Sequence, residues 1–112
     1  MNPPEKFSIG LVQMACSANP RENLEKAVAK VGEAARGGAR IVCLPELFKS
    51  RYFCQREDPA VFDLSEPVPG PTTEALAEAA RRHGVAVVAP VFERRAPGLY
   101  HNSAAVIDSD GR

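Results

Sequence analysis

Residues 41–48, with the sequence IVCLPELF, decide the fold of this chain. The four apolar residues at its start include two that are β-branched; they are too few for a helix and predict a buried strand. Pro45 has no backbone N–H for a neighbouring strand, so we expect the strand to end there. One acid, Glu46, follows directly. Because ligands bind at the carboxyl ends of parallel strands in α/β sheets, Glu46 is the first candidate functional residue.

The flanking residues leave two roles open for Glu46. Apolar walls formed by Leu44, Leu47 and Phe48 would disfavour the charged form of the carboxylate. Its pKa would then be raised toward the range of a general base. Alternatively, the side chain is solvated or caps a neighbouring amide.

Composition limits the class of protein. A chain of 112 residues fits one small domain, and 45% hydrophobic with 25% charged residues is ordinary for a globular protein. Fourteen basic residues balance fourteen acidic ones, so neither nucleic acid nor an anionic membrane is expected as a partner. No apolar run reaches the roughly 20 residues of a membrane span. Residues 1–6 lack the features of a signal peptide, which favours a cytoplasmic protein.

The three cysteines argue against disulfides and zinc. Cys16, Cys43 and Cys54 are odd in number and lack CxxC spacing, so we expect reduced thiols. Cys43 is predicted to be an inert core residue. A reactive thiol is conceivable at Cys16 or Cys54, but nothing nearby in the sequence activates either. No GxGxxG motif or P-loop lysine is present.

A strand and a helix precede the central strand. Residues 7–14 predict a first strand that is mostly buried. Asn19 suits a helix N-cap, Pro20 the first helical position and Glu22 the position that reaches back in a capping box. An apolar stripe then continues to a stop at Gly37. This β-α-β order predicts parallel pairing of the two strands.

Residues 48–71 show no regular period, and so long a loop beside Glu46 is typical of functional segments. We expect Tyr52 to line the cleft as a substrate contact and Phe53 to pack over the sheet edge. The charged side chains in the first part of this loop, residues 49–58, have mixed signs and predict a solvated face; they are Lys49, Arg51, Arg56, Glu57 and Asp58.

The rest of the chain predicts a helix and two strands. Residues 72–83 form the helix, with Arg81 and Arg82 near its end, where cations suit the helix dipole. His83 is interpreted as a last-turn histidine and not as a catalyst. Residues 85–92 are almost uniformly apolar, which predicts a strand covered on both faces. A short turn leads to a fourth, antiparallel strand over residues 100–108.

Near the start of that strand, His101 and Asn102 can face the cleft, and Asn102 is a candidate substrate contact; structural hydrogen bonding is the alternative for both. The final SDGR is a hairpin-turn signal with no partner strand after it. We therefore expect the chain to stop in the middle of its fold.

Several segments resemble the nitrilase-like carbon–nitrogen hydrolases. They are residues 9–14 (IGLVQM), the GGAR before Ile41, 44–48 (LPELF), 69–72 (PGPT) and 100–104 (YHNSA). Residues 48–55 (FKSRYFCQ) and 92–102 (FERRAPGLYHN) are similar to the N-carbamoylputrescine amidohydrolases within that family. The likeness extends over nearly the whole chain in the correct order.

This resemblance implies an α/β fold that forms the N-terminal half of an α-β-β-α sandwich. Its element order is βαβαββ, with mostly parallel strands and a terminal antiparallel hairpin, so residues 1–112 would be a partial domain. Glu46 falls on the glutamate of a Glu-Lys-Cys triad, whereas the lysine and cysteine positions lie beyond residue 112. None of the three cysteines matches the nucleophile. The resemblance further implies a small-molecule substrate and a homo-oligomer. It implies no metal and no organic cofactor.

Three hypotheses remain. The first is an N-terminal piece, inactive alone, of an enzyme that hydrolyses a linear N-carbamoyl amine, with N-carbamoylputrescine as the favoured substrate. The second is a non-catalytic α/β binding module in which Glu46 is structural. The third is a small thiol enzyme that uses Cys54 with His101 or Glu46. Under the first, the sheet should expose an apolar face.

Overall fold

A computed structural model describes residues 6–112 of the chain; residues 1–5, part of the stretch used to argue against a signal peptide, lie outside the described residues. The elements in chain order are β1 (Ser8–Leu11), α1 (Pro20–Arg36), β2 (Ala39–Cys43), a 3₁₀ helix (Pro59–Leu64), α2 (Pro71–His83), β3 (Ala86–Ala96) and β4 (Leu99–Ile107). The strands form one sheet in the order β1-β2-β3-β4. The first two pairings are parallel and the third is antiparallel, which confirms the predicted α/β topology.

Helix α1 begins where the sequence predicted. The Asn19 side chain accepts hydrogen bonds from the backbone N–H groups of Arg21 (3.0 Å) and Glu22 (3.3 Å). The predicted capping box is wrong, however, because the backbone N–H of Asn19 donates to the Ser17 hydroxyl (3.1 Å) and not to Glu22. The Ser17 hydroxyl in turn donates to the Glu22 carboxylate (3.1 Å), so Ser17 occupies the place expected for Glu22.

Both helices contribute to a core on one face of the sheet. The buried apolar side chains that join α1 and α2 to the strands are Ala27, Val31, Val42, Leu76, Ala79, Ala80, Val87, Ala89 and Ile107. Helix α1 lies so close to β1 that a Cβ added to Gly10 would sit 2.9 Å from the Cβ of Ala34. Glycine is therefore required at position 10 by the contact with the helix.

The opposite face of the sheet is open over much of its area. Leu11 is 80% exposed and Val106 is 75% exposed, so the prediction that the first strand is mostly buried is wrong. The third strand is likewise not covered on both faces: Val87 is buried against the helices, whereas Val88 and Pro90 on the other side are only half-buried. The physical reason is that the described residues place helices on one side alone. The expected exposed apolar face is confirmed.

The loop between β2 and α2 is more regular than its sequence suggested. Its 3₁₀ helix is capped by Asp58, which accepts a hydrogen bond from the backbone of Ala60 (2.9 Å). Further on, Glu66 forms a parallel bridge to β3 at Glu93. The backbone N–H of Glu66 donates to the carbonyl of Phe92 (3.0 Å). The loop therefore extends the sheet along the part of the β3 edge that β2 leaves unpaired.

The end of the chain forms the predicted turn. After β4, the N–H of Gly111 donates to the carbonyl of Asp108 (2.9 Å), and the N–H of Asp108 donates to the carbonyl of Arg112 (2.6 Å). Within residues 6–112, neither helix combines the length and apolar character needed to cross a bilayer.

Candidate functional site

Glu46 stands immediately beyond the carboxyl end of β2. Its neighbours Leu44, Leu47 and Phe48 are buried, whereas Glu46 is exposed. Leu47 adopts a left-handed backbone conformation (φ +51°), which is rare for a residue with a bulky side chain. This conformation accompanies the change from an exposed residue 46 to a buried residue 47.

The expectation that apolar side chains enclose Glu46 is wrong for the described residues. Leu44 and Phe48 contribute to the core beneath the sheet and Leu47 is buried outside that cluster, so the three do not form a recess around the carboxylate. The cause is the open face, which leaves the space above the end of β2 uncovered. These residues therefore do not supply the desolvation that was expected to disfavour the charged form.

Asn102 holds the Glu46 carboxylate. Its side-chain Nδ2 donates to Glu46 Oε1 at 2.8 Å, although the two residues are 56 positions apart. Asn102 lies opposite Phe92 in the β3–β4 ladder, so the bond joins the segment after β2 to β4 across β3. Two residues that the sequence nominated separately are thus brought into direct contact.

Tyr52 is the third predicted site residue in the same area. The pKa of Tyr52 is raised above its ordinary value of 10.0, first by a side-chain hydrogen bond with Cys54, then by the charges of Cys54 and Glu46, and lastly by partial burial. Its side chain remains about half exposed. We call Glu46, Tyr52, Cys54 and Asn102 the Glu46 patch.

His101 does not belong to the Glu46 patch. Successive side chains of a strand point to opposite faces, so His101 and Asn102 diverge. His101 pairs with Glu93 in the ladder and is exposed. Ser103, two residues after His101, points to the same face as His101 and donates its hydroxyl proton to the Glu93 carboxylate at 2.8 Å.

Four aromatic rings border the Glu46 patch on the open face. The ring centroids of Phe53 and Phe92 are 5.0 Å apart, and those of Phe62 and Tyr100 stack at 4.4 Å. Phe92 and Tyr100 also meet, at 6.0 Å. The packing predicted for Phe53 is confirmed, and the loop before α2 covers this end of the open face.

The sequence did not reveal an ion pair between Lys49 and Glu66. The Lys49 ammonium binds the carboxylate of Glu66, which is buried and also accepts a hydrogen bond from the backbone N–H of Thr72 (3.2 Å) in the first turn of α2. Lys49 was expected on a solvated face; the other four charged residues of the stretch 49–58 are exposed as predicted. The detectable signal was an acid shortly before a helix start, where a negative charge suits the helix dipole.

A cavity of about 190 Å³ adjoins this ion pair. Lys49, Ser50, Glu66 and Thr72 contribute to its wall, whereas Glu46 does not. The cavity and the Glu46 patch are therefore separate features, joined through the short segment that contains Leu47.

In the described part of the chain, no three His, Cys, Asp or Glu side chains converge as ligands of a metal ion would. All three cysteines are free thiols. Cys43 was predicted to be enclosed in the core, and this is wrong. It is only half-buried, because it lies on the open face of β2. The Cys16 thiol donates to the carbonyl of Phe48 at 3.1 Å.

Known proteins share sequence and fold with this chain. The carbon–nitrogen hydrolase family profile matches residues 8–112. The chain is 35% identical over 106 residues to a citrullinase of Francisella tularensis, a match that covers 94% of this chain and 37% of the relative. It is 36% identical over 107 residues to an N-carbamoylputrescine amidase of Oryza sativa, covering 95% of this chain and 35% of the relative.

A solved structure shows the same fold. The carbon–nitrogen hydrolase from Helicobacter pylori G27 superposes with a TM-score of 0.85 at 34% identity, over 93% of this chain and 36% of that one. The chain thus spans little more than a third of the length of the relatives it matches. The family profile, the sequence identities and the shared fold agree: this chain belongs to the carbon–nitrogen hydrolases.

Proposed function

We propose that this chain supplies the general base of an enzyme that hydrolyses a linear N-carbamoyl amine. N-carbamoylputrescine is the favoured substrate, and its hydrolysis gives putrescine, ammonia and carbon dioxide with the consumption of one water. Glu46 is the base and Tyr52 a substrate contact. The similarity of residues 48–55 to the N-carbamoylputrescine amidohydrolases supports the choice of substrate.

The observation that carries this proposal is the placement of Glu46. It lies at the carboxyl end of a parallel strand, held by Asn102, within the LPELF segment that matches the family. A residue kept exposed and hydrogen-bonded at such a sheet edge is available for chemistry. Because the chain spans only about a third of its relatives, the lysine and the cysteine of the triad would come from residues that follow position 112 in a longer chain.

The proposed reaction proceeds through a thioester. Glu46 takes the proton of the cysteine thiol, and the thiolate attacks the carbamoyl carbon. The lysine ammonium stabilises the oxyanion that forms on the carbonyl oxygen. The amine departs with the proton that Glu46 took and leaves an S-carbamoyl thioester. Glu46 then removes a proton from the attacking water, and hydrolysis regenerates the thiol and releases carbamate, which decomposes to ammonia and carbon dioxide.

The open face fits this proposal physically. An apolar surface with Leu11 and Val106 exposed is suited to receive a second layer of structure, and such a layer would exclude water from the Glu46 patch. We propose that the remainder of the longer chain provides this layer. We further propose that the enzyme is a homo-oligomer in the cytoplasm and that its substrate is a small molecule.

The base is tested by Glu46→Gln in the complete natural chain. The amide keeps the size of the side chain but cannot accept the thiol proton, so ammonia release should fall by about 10²–10⁴-fold. Glu93→Gln is the matched control, because Glu93 also accepts one hydrogen bond from a β4 side chain but lies outside the Glu46 patch. Normal turnover by the Glu46 variant would contradict the general-base role.

The same assay tests the substrate. N-carbamoylputrescine should give a higher kcat/KM than citrulline or a simple aliphatic amide. A reversed order would contradict the choice of substrate and leave the role of Glu46 intact. Turnover of none of these compounds would favour the binding module.

A second candidate function is the thiol enzyme that uses Cys54. The interactions of the Tyr52 side chain with Cys54 and with the charge of Glu46 are the observations that favour it, because they bring a thiol and a carboxylate to the same patch. Cys54→Ser separates the two functions: unchanged ammonia release supports a different nucleophile, whereas complete loss supports Cys54.

A further inference from the structure

The Glu46 carboxylate is exposed and yet held in one orientation. A free glutamate at a surface exchanges among its rotamers, and placing it for a reaction costs conformational entropy. The described residues provide one hydrogen bond to this carboxylate, from Asn102 Nδ2 to Oε1 at 2.8 Å. A bond from an N–H to an ionised carboxylate is charge-assisted and stronger than a bond between neutral groups.

The donor is carried by the most extensively paired part of the sheet. Strand β4 pairs with β3 from Ile107 opposite Val87 to Leu99 opposite Ala96, and Asn102 lies inside this ladder. Glu46, in contrast, belongs to the segment that leaves β2 for a long connection. Strand-borne groups are placed more accurately than groups on loops, so the fixed partner is Asn102 and the positioned one is Glu46.

We propose that Asn102 is a positioning residue that holds Oε1 of Glu46 and leaves Oε2 directed to the reacting thiol and water. This inference rests on the proposed function, because it assigns a role at the same site. An amide suits the task chemically: it orients the carboxylate without bringing a full positive charge that would weaken it as a base.

The competing role for Asn102 is direct substrate binding, as its sequence position suggested. In that case its removal weakens substrate affinity and raises KM. Loss of positioning instead lowers kcat with little change in KM, because the substrate is still bound while the base is misplaced. The two roles therefore predict different kinetic changes.

The test compares Asn102→Ala and Asn102→Asp in the complete natural chain, with ammonia release from N-carbamoylputrescine, or from the best substrate found, as the assay. Misplacement of a catalytic group by about 1 Å can cost about 100-fold in rate, and we expect a kcat loss of about this size with KM changed less than about threefold. Ser103→Ala is the matched control, since it removes a bond of the same length from the neighbouring β4 residue on the opposite face. It should keep kcat.

The pH dependence provides a readout that a purely structural role would not change. At neutral pH, Asn102→Asp has no proton to donate and repels Glu46, so its kcat loss should equal or exceed that of Asn102→Ala. At acid pH, a protonated carboxyl at position 102 can donate to Oε1, so the loss relative to the unaltered enzyme should shrink. A constant ratio across pH, or a rise in KM with unchanged kcat, would overturn the inference.

A double variant separates failure of this inference from failure of the proposed function. Once Glu46→Gln has removed the base, adding Asn102→Ala should cost no further activity, because nothing remains to be positioned. An active Glu46→Gln enzyme would refute both proposals. An inactive Glu46→Gln enzyme together with normal Asn102 variants would refute only the role of Asn102. Circular dichroism identifies a variant that fails to fold; if Asn102→Ala does, Asn102→Asp decides the outcome.

Discussion

The two faces of the sheet differ in almost every physical respect. The helix-covered face buries Val42, Val87 and Ala89 beneath α1 and α2. The open face exposes Leu11 and Val106, and it carries the Glu46–Asn102 hydrogen bond at one end. One face supplies stability by burial of apolar surface, whereas the other displays the groups suited to chemistry.

This difference shows how one strand serves both purposes. Alternation sends neighbouring side chains of a strand to opposite sides, so a single strand can contribute to the core and to the site. On β4, Ile107 is buried under the helices, whereas Val106 and Asn102 lie on the open face. The chemistry can therefore be altered without disturbing the core, and the predictions below test that separation.

The largest effect on stability is expected from a pair of valines on the two faces. Val87 is 0% exposed under the helices and Val106 is 75% exposed. Val87→Ala removes two buried carbons and leaves a cavity, which should lower the free energy of unfolding by about 2–3 kcal/mol. In a chain of residues 1–112, which lacks the proposed second layer, Val106→Ala should change it by less than about 0.5 kcal/mol. Urea unfolding of both variants measures the difference; equal losses would mean that the open face is covered as well as the helix face.

A smaller effect is expected at the rim between the faces. Lys49→Met leaves the buried Glu66 carboxylate without its cation, which should cost about 1–2 kcal/mol, since Lys49 is itself partly exposed. Lys30→Met is the matched control, because its ion pair with Glu33 is exposed and should contribute almost nothing. If thermal unfolding gives the same Tm for both variants, the buried pair contributes no more to stability than the exposed pair.

The smallest expected effect is a shift in a titration. The pKa of Tyr52 is raised by Cys54 and, to a lesser degree, by the charge of Glu46, so Glu46→Gln should move it back toward 10.0. Since the folded protein holds this proton more tightly than the unfolded chain, the contribution to stability is complete below about pH 10 and is lost as the pH rises through the folded-state pKa. Phenolate absorbance, with Tyr52→Phe subtracted, measures the shift. No change would mean that Glu46 and Tyr52 do not interact.

The sequence predicted the helix-covered face better than the open one. Asn19, Pro20 and the apolar stripe of α1 act locally, so the helix start was predictable from neighbouring residues. Burial of the first strand was not predictable in this way, because an apolar Leu11 looks the same in sequence whether or not a second layer covers it. Burial depends on the rest of the fold, and that information is not local.

The sequence nominated candidate residues for the site but did not specify their arrangement. Glu46, Tyr52 and Asn102 were each nominated, yet the bond between Glu46 and Asn102 depends on the register of β4 against β3. The pairing of Lys49 with Glu66 was missed because mixed charges in a loop usually remain solvated. Long-range contacts of this kind are set by topology, which the local pattern does not specify.

The left-handed backbone at Leu47 limits which residues can follow Glu46. Its φ of +51° favours glycine, asparagine or aspartate, whereas its near-complete burial demands a large apolar side chain. No residue type satisfies both demands, so leucine bears a conformational penalty of about 1–3 kcal/mol that the surrounding core must outweigh. Position 47 should consequently accept few replacements. Substitutions at this position should abolish function more often than substitutions at neighbouring exposed positions.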